Sequence, residues 1–283
     1  MSLSSFLSDT DRIVSFRPAV IHMLKVINDT DSDFAQVAEA LSADPAVTAR
    51  LLRWANSPLF GCPNDIETVG HAVALMGLDA IRQITIASSV VTHFADCDST
   101  HDHRDFWNHA VASGHFARLL AHRNGNPRHN RLFTAALLAN IGTLVFCIHV
   151  STTHAELIAR ADRDKIPLMT LEQETFGFTR IDLGTTLLEV WGLPAFFPET
   201  IRRAFASPES QRVMADQDVS TLQLASELAD RLLGRPTRDP REPSAIASSR
   251  ISIDEIEDLL RCVDEELEGQ LRTLLDPFGG SQS

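Results

Sequence analysis

The chain has 283 residues, a formal net charge of −13 at pH 7, and 44% hydrophobic against 22% charged side chains. This composition is that of an ordinary globular protein with enough material for a core, and its acidity argues against broad electrostatic binding to nucleic acid or acidic membranes. The four cysteines are far apart and include no C-x-x-C pair, so we expect free thiols rather than disulfides or a zinc knuckle.

No segment is expected to enter a membrane. The longest weakly polar run, residues 134–150, is shorter than a membrane span requires and contains Asn140 and His149. The first eleven residues lack the basic start and apolar centre of a signal peptide, and residues 1–16 are predicted to be a tail. The sequence therefore predicts a cytoplasmic protein.

Five helices with short connections are predicted in residues 17–95, which would make this part a compact bundle. Each begins either with a proline in its first turn or with a side chain that caps the first free N–H groups. The predicted starts are Pro18, Asp31 or Ser32, Pro45, Thr68 and Asp79. Gly77 is predicted to close the fourth helix, since glycine suits the position after a helix end.

The segment Leu59-Phe60-Gly61 lies between the third and fourth predicted helices, where the glycine, proline and asparagine content is typical of a loop. An exposed Phe60 would mark a contact surface for another protein. Alternatively, Phe60 folds back and covers the end of the bundle, and the sequence favours neither interpretation.

A second helical bundle is predicted in residues 103–234, beginning with a long helix from Asp105. The almost wholly apolar run 133–146 is predicted to be a single helix buried on all sides. The amide of Asn140 lies in the middle of this run. It must face a polar pocket or bind a neighbouring helix, since a buried amide without a partner costs about 1–3 kcal/mol.

Residues 235–250 are rich in Pro, Ser and Arg and are predicted to be a flexible linker. Residues 251–276, which contain nine acidic and two basic side chains, are predicted to form an amphipathic helix, followed by a tail at 277–283. The apolar stripe of this helix consists of Ile256, Leu259, Leu260, Val263, Leu267, Leu271 and Leu274. We expect it to dock on its own bundle, because two such acidic helices side by side would repel each other.

Several blocks of sequence resemble a known family. They are residues 44–57, 72–82, 176–184 and 188–194, together with the apolar run that contains Asn140-Ile141-Gly142. These blocks resemble the HD-related output domain (HDOD) family of bacterial signalling proteins, over roughly residues 17–234. The resemblance implies an all-α fold, in which a five-helix N-terminal bundle (17–95) packs with an HD-like helical bundle (103–234) and the C-terminal acidic helix is added.

The parent HD phosphohydrolases of this family hold metal through a histidine, an adjacent His-Asp pair and a later aspartate. By resemblance, His109 takes the first position, Ala139 and Asn140 replace the pair, and Ser226 stands near the last position, with Asp230 one turn further on. Alanine offers no ligand and an amide oxygen is a weak one, so three of the four ligands are missing. The resemblance therefore implies a degenerate site without metal, cofactor or catalytic residues.

The histidines can be explained as structural or surface residues rather than as metal ligands. His109 is expected to be a core residue that is hydrogen-bonded within the bundle, with Asn140 as a candidate partner. His115 and His122 share another face of the same helix, since six residues at 100° each place His115 about 240° from His109. We expect this second face to be solvated. Trp54, Trp107 and Trp191 are expected in the core.

The family and the missing ligands together predict a non-enzymatic signalling or regulatory module that contacts an unidentified signalling protein. The alternative is a sensor that binds a small ligand or nucleotide in the remnant pocket. A residual metal-dependent phosphohydrolase is the third hypothesis. Bound metal with turnover would identify the enzyme, whereas a thermal shift with a nucleotide and no turnover would identify the sensor.

Overall fold

The computed structural model describes residues 2–9, 18–29, 32–42, 45–56, 66–97, 103–205, 216–235, 245 and 251–275. All regular secondary structure in these ranges is helical, which confirms the all-α prediction. Apolar side chains at helical spacing throughout the chain explain this result, because each helix can bury one face against its neighbours.

The N-terminal part contains the five predicted helices, preceded by one that was not predicted. The helices are α1 (Leu3–Asp9), α2 (Pro18–Asn28), α3 (Phe34–Ser42), α4 (Pro45–Ala55), α5 (Val69–Met76) and α6 (Leu78–Cys97). Thr68 caps α5 through a hydrogen bond from the backbone of His71, and Gly77 ends it with φ of 81°. Both caps agree with the prediction.

Helix α1 corrects the assignment of residues 1–16 as a tail. Phe6 is buried, and its ring packs edge-on against Phe146 and Phe178 of the second bundle. The sequence signal was weak because a seven-residue helix with one apolar anchor has too few residues to show a period.

The start of α3 also differs from the prediction. Asp33, rather than Asp31 or Ser32, begins this helix. The Asp33 carboxylate accepts a hydrogen bond from the backbone of Gln36, and the Gln36 side chain accepts one from the backbone of Asp33, each at 2.9 Å. This reciprocal pair satisfies two N–H groups that the helix leaves free.

The second bundle is built around a central helix, α7, which packs on α8 and α14. Its helices are α7 (Arg104–Arg123), α8 (His129–Leu138), α9 (Ile141–His149), α10 (Ser151–Asp164), α11 (Leu168–Phe176), α12 (Arg180–Val190), α13 (Phe196–Phe205) and α14 (Gln217–Leu232). Trp54, Trp107 and Trp191 are all buried, as predicted.

The prediction of one continuous apolar helix over 133–146 is wrong. The chain forms α8 and α9 instead, and the two are separated at Ala139 and Asn140. Asn140 precedes α9 with φ of −104° and ψ of 16° and is only half-buried. The apolar composition concealed the break because hydrophobicity alone does not report where a helix changes direction.

Residues His129–His149 are long and apolar enough to cross a membrane, by length and composition alone. However, 72% of the most apolar window is buried inside the protein. A helical pair at the centre of a bundle gives this combination, because its neighbours rather than lipid cover the apolar side chains.

Helices α9 and α12 meet at a very close backbone contact. A Cβ atom on Gly142 would lie 2.0 Å from the carbonyl oxygen of Arg180 and 2.9 Å from the backbone nitrogen of Gly184. A Cβ atom on Gly184 would in turn lie 3.0 Å from the backbone nitrogen of Gly142. Position 142 therefore requires glycine for reasons of space, whereas a Cβ at position 184 would be a tight contact that needs a small shift of the neighbouring backbone.

The C-terminal helix, α15 (Ile253–Leu275), docks on its own chain, as predicted. It packs chiefly on α7, with further contacts to α6, α4 and α14, and so touches both bundles. Four residues of the predicted stripe are buried: Ile256, Leu259, Val263 and Leu267. The side chains of Leu271 and Leu274 lie outside the described residues.

The glycine contact predicts a large loss of stability for Gly142→Ala. The added methyl group would overlap the backbone of Arg180, which cannot move aside as a side chain can. We expect a fall in the free energy of unfolding of at least about 3 kcal/mol, the upper end of the usual cost of overpacking. Urea denaturation followed by circular dichroism measures this quantity.

Gly70→Ala is the matched control, because Gly70 is also helical and its Cβ would meet only the end of the Phe34 ring at 3.9 Å. This control should be neutral or stabilising by up to about 1 kcal/mol, since alanine is the better helix former. Equal effects of the two substitutions would contradict the argument from space.

Candidate functional site

His109 of α7 is joined to α14 by a buried polar contact. Its Nε2 lies 3.1 Å from Oδ1 of Asp230, and the two side chains are 8% and 15% exposed. Its Nδ1 lies 3.4 Å from the hydroxyl of Ser113, one turn further along α7. Both ring nitrogens are therefore engaged, and the imidazole is fixed in position.

The structure shows which of these residues His109 contacts. Asp230 of α14 lies against His109, while Ser226, one turn earlier, is buried. The candidate partner Asn140 is not among the described contacts of His109, which are with Asp230 and Ser113. Ala139 is buried and Asn140 half-buried at the break between α8 and α9.

The donor set does not fit the metal that HD phosphohydrolases use. His109 and Asp230 supply an imidazole and a carboxylate, but Ala139 has no donor atom and Asn140 has a neutral amide. Within the described ranges, no group of three or more His, Cys, Asp or Glu side chains converges in a way that could hold a metal ion. In the structure, His109 and Asp230 are a pair of donors that contact each other.

A second buried polar group joins α10, α11 and α12. Glu172 of α11 is fully buried and accepts hydrogen bonds from the guanidinium of Arg180 at 2.7 Å and from the backbone of Arg180 at 3.0 Å. His154 of α10 is also buried, and its Nε2 lies 3.6 Å from Glu172. The carboxylate thus sits at the start of α12, where the helix dipole favours negative charge.

Cys147 completes a row of side chains that superficially resembles a nucleophile with its base. Its sulfur lies 3.8 Å from Nδ1 of His154. Burial raises the pKa of the Cys147 thiol, which disfavours the thiolate that nucleophilic chemistry requires. The Arg180 guanidinium, moreover, is bound to Glu172 and fixes the carboxylate structurally. We therefore interpret this row as part of the core.

The other predictions for individual residues have different outcomes. His115 is buried and contacts Glu266 of α15 at 3.4 Å, so the prediction that it is solvated is wrong. His122 is exposed, as predicted. Helix α15 covers the face of α7 that carries His115, which is why this histidine is buried. Leu59, Phe60 and Gly61 lie outside the described residues, and their contact surface stays a prediction.

Sequence reasoning missed the role of Asp230 and the whole Glu172 group. For Asp230 a signal existed: it lies one helical turn after the expected position and could occupy the same face as Ser226. For Glu172, the sequence showed only an acidic residue in an amphipathic helix, and its partner Arg180 lies in another helix. Such long-range charge pairing leaves no local pattern.

The all-α fold, with a contact between His109 and Asp230 of two helices in the second bundle, places the chain in the class of HD-related domains. The chain belongs to the HDOD domain family, which matches residues 13–206. A protein from Treponema pallidum (strain Nichols) is 24% identical over 198 residues, and this chain covers 37% of that relative's length. That relative is described as uncharacterized.

Solved structures confirm the fold. A proposed phosphohydrolase from Shewanella amazonensis SB2B has a TM-score of 0.75 at 24% identity, covering 95% of this chain and 97% of the other. An HDOD domain protein of unknown function from Geobacter sulfurreducens has a TM-score of 0.71 at 21% identity, with 98% and 97% covered. A proposed signal transduction protein from Marinobacter aquaeolei VT8 has a TM-score of 0.67 at 17% identity, with 92% and 59% covered.

The contact between His109 and Asp230 predicts energetic coupling of these two residues. Removal of either partner should lower the free energy of unfolding by about 1–3 kcal/mol, because the other is left without its polar partner in a largely buried position. The double variant His109→Ala/Asp230→Ala should cost less than the sum of the single changes, by at least about 0.5 kcal/mol. Urea denaturation of the four proteins gives the coupling energy.

The matched control is the pair His109→Ala and Asn140→Leu, whose effects should be additive within about 0.5 kcal/mol. Stronger coupling of His109 to Asn140 than to Asp230 would contradict the arrangement described above.

The buried position of Glu172 predicts that its removal is costly. Glu172→Ala leaves the Arg180 guanidinium and backbone N–H without their acceptor, and a broken buried ion pair typically costs about 3–5 kcal/mol. Asp164→Ala removes a carboxylate from exposed pairs with Arg160 and Arg163, and should cost less than about 1 kcal/mol. Thermal and urea denaturation compare the two, and similar losses would show that the Glu172 pair contributes no more than a surface pair.

Proposed function

We propose that this protein is a non-enzymatic regulatory module of bacterial signal transduction that acts through contacts with another protein in the cytoplasm. The observation that supports this proposal most directly is the pair of contacts that His109 makes. Its imidazole contacts Asp230 and Ser113, and the contact with Asp230 joins α7 to α14. A residue type suited to catalysis thus serves the packing of two helices.

Membership of the HDOD family adds to this support, because the family resembles HD phosphohydrolases while serving as an output domain in signalling. The Marinobacter aquaeolei protein, described as a proposed signal transduction protein, has the same fold. The likeness of the Shewanella amazonensis protein, described as a proposed phosphohydrolase, is likewise one of fold. Function must therefore be argued from the site, and here Ala139 and Asn140 stand where that chemistry needs ligands.

A small-ligand sensor is the second candidate. Asp230 is 15% exposed, and Asn140 is half-buried at the start of α9, so two polar side chains at or near the positions that correspond to the metal ligands of HD phosphohydrolases remain reachable. A nucleotide that raises the melting temperature of the protein without being hydrolysed would favour the sensor. Hydrolysis that depends on an added divalent ion would favour a residual phosphohydrolase.

The missing ligands predict that protein purified without chelators contains no stoichiometric iron, manganese, zinc or magnesium. Elemental analysis by mass spectrometry tests this directly. One tightly bound ion per chain, together with turnover of a phosphoester substrate, would overturn the non-enzymatic proposal.

A variant that restores the missing ligands tests the same explanation in the opposite direction. Ala139→His with Asn140→Asp restores the two donors that HD phosphohydrolases carry at the corresponding positions. This double variant should bind a divalent ion measurably more tightly than the wild-type chain by calorimetry, since neutral imidazoles and carboxylates suit first-row metals. Circular dichroism must first show that the variant is folded, because Ala139 is buried. The single variant Asn140→Asp, which lacks the second imidazole, is the control.

A further inference from the structure

Helix α15 covers a groove whose floor is α7 and whose sides are formed by α4, α6 and α14. We call this surface the α15 groove. It buries Ile256, Leu259, Val263 and Leu267, which occur at intervals of three or four residues and so form one stripe. At its floor, the buried side chain of His115 meets the carboxylate of Glu266 at 3.4 Å.

The way in which α15 is held differs from the way in which α14 is held. The start of α14 is tied through the buried carboxylate of Asp218 to Asn126 at 2.7 Å and to Arg128 at 2.6 Å. Helix α15 meets the bundle through its apolar stripe and through Glu266, whose side chain is 33% exposed. Apolar packing of this kind can be supplied by any amphipathic helix with the same spacing.

Helix α15 also carries its own start signal. The backbone N–H of Ser252 donates to the carboxylate of Glu255 at 2.9 Å, and the backbone of Glu255 donates to the hydroxyl of Ser252 at 3.3 Å. This capping box stabilises the start of α15 through residues next to and within its first turn. Twenty residues (233–252) join α14 to α15, and a chain of this length can span about 70 Å when fully extended. Its length therefore permits α15 to leave the groove while remaining attached.

We propose that the α15 groove is the docking site for an amphipathic, acidic helix of a partner protein, and that α15 occupies this site in the resting chain. This inference rests on the function proposed above and names the surface and the chemistry of the partner. The partner helix presents four apolar residues at the spacing of the α15 stripe and a carboxylate aligned with His115. Since two helices cannot fill one groove, partner binding releases α15.

The acidic character of the partner follows from the groove. A helix that places a carboxylate over the buried imidazole of His115 gains a hydrogen bond that a neutral or basic helix would lose. The outward face of α15 is acidic, and an outward face of this kind would keep the partner helix soluble. Its exposed residues include Asp254, Glu257, Asp258, Asp264 and Glu265.

The test uses the full chain with Val263→Asp and a fluorescent peptide that contains residues 251–275. Val263 is completely buried in the groove, so the new carboxylate should release α15 while every residue of the groove itself stays unchanged. The peptide should bind this variant at least about tenfold more tightly than it binds the wild-type chain, because the tethered competitor has been removed. Fluorescence anisotropy measures both affinities.

Ile253→Asp is the matched control, because Ile253 belongs to the same helix and is 72% exposed. It should bind the peptide as weakly as the wild-type chain does. A peptide with Glu266→Ala should bind the Val263→Asp chain about three- to tenfold more weakly, which reports the loss of one hydrogen bond to His115.

Three results would overturn the proposal. Unfolding of the Val263→Asp chain by near-ultraviolet circular dichroism would show that α15 is an indispensable part of the core. A folded variant that fails to bind the peptide would show that the groove accepts no helix in trans. A wild-type chain that dimerises with concentration, and a Val263→Asp chain that does not, would assign the groove to a second copy. In the second case, contact with a partner through another surface would leave the proposed function intact.

Discussion

The arrangement of the second bundle depends on the contact of α9 with α12 at Gly142 and Gly184. Helices usually pack 8–10 Å apart, a distance set by the side chains between them, and here the absence of side chains lets backbone meet backbone. The carbonyl of Arg180 occupies the space that a Cβ of Gly142 would need. This contact fixes the first turn of α9, and the chain leaves helical geometry at Asn140, just before that turn.

Arg180 also connects this contact to other helices of the second bundle. Its carbonyl faces Gly142, while its N–H and guanidinium hold Glu172. Glu172 lies beside His154, so one residue links α9, α10, α11 and α12. A buried charge is tolerated only with complete pairing, and the short distances to Glu172 meet that requirement. The position of α9 is consequently determined by backbone contact and polar pairing together.

The helices and their packing faces were largely predictable from the sequence, whereas the partners of polar residues were not. Thr68 and Gly77 carry local signals that act within one turn, and the structure bears them out. The contacts of His109 with Asp230 and of His115 with Glu266 join residues more than a hundred positions apart. Their formation depends on how whole helices are oriented. That orientation is set by the packing of many apolar side chains together, so no short sequence pattern reports it.

The two buried histidines of α7 each connect this helix to a different neighbour. His109 faces α14 and meets Asp230, and His115 faces α15 and meets Glu266. Such pairs contribute modestly to stability, since desolvation offsets most of the attraction. They do discriminate between helices, because a helix without the carboxylate leaves a buried imidazole unsatisfied. The two histidines therefore favour the native positions of α14 and α15 over other packings of apolar faces on α7.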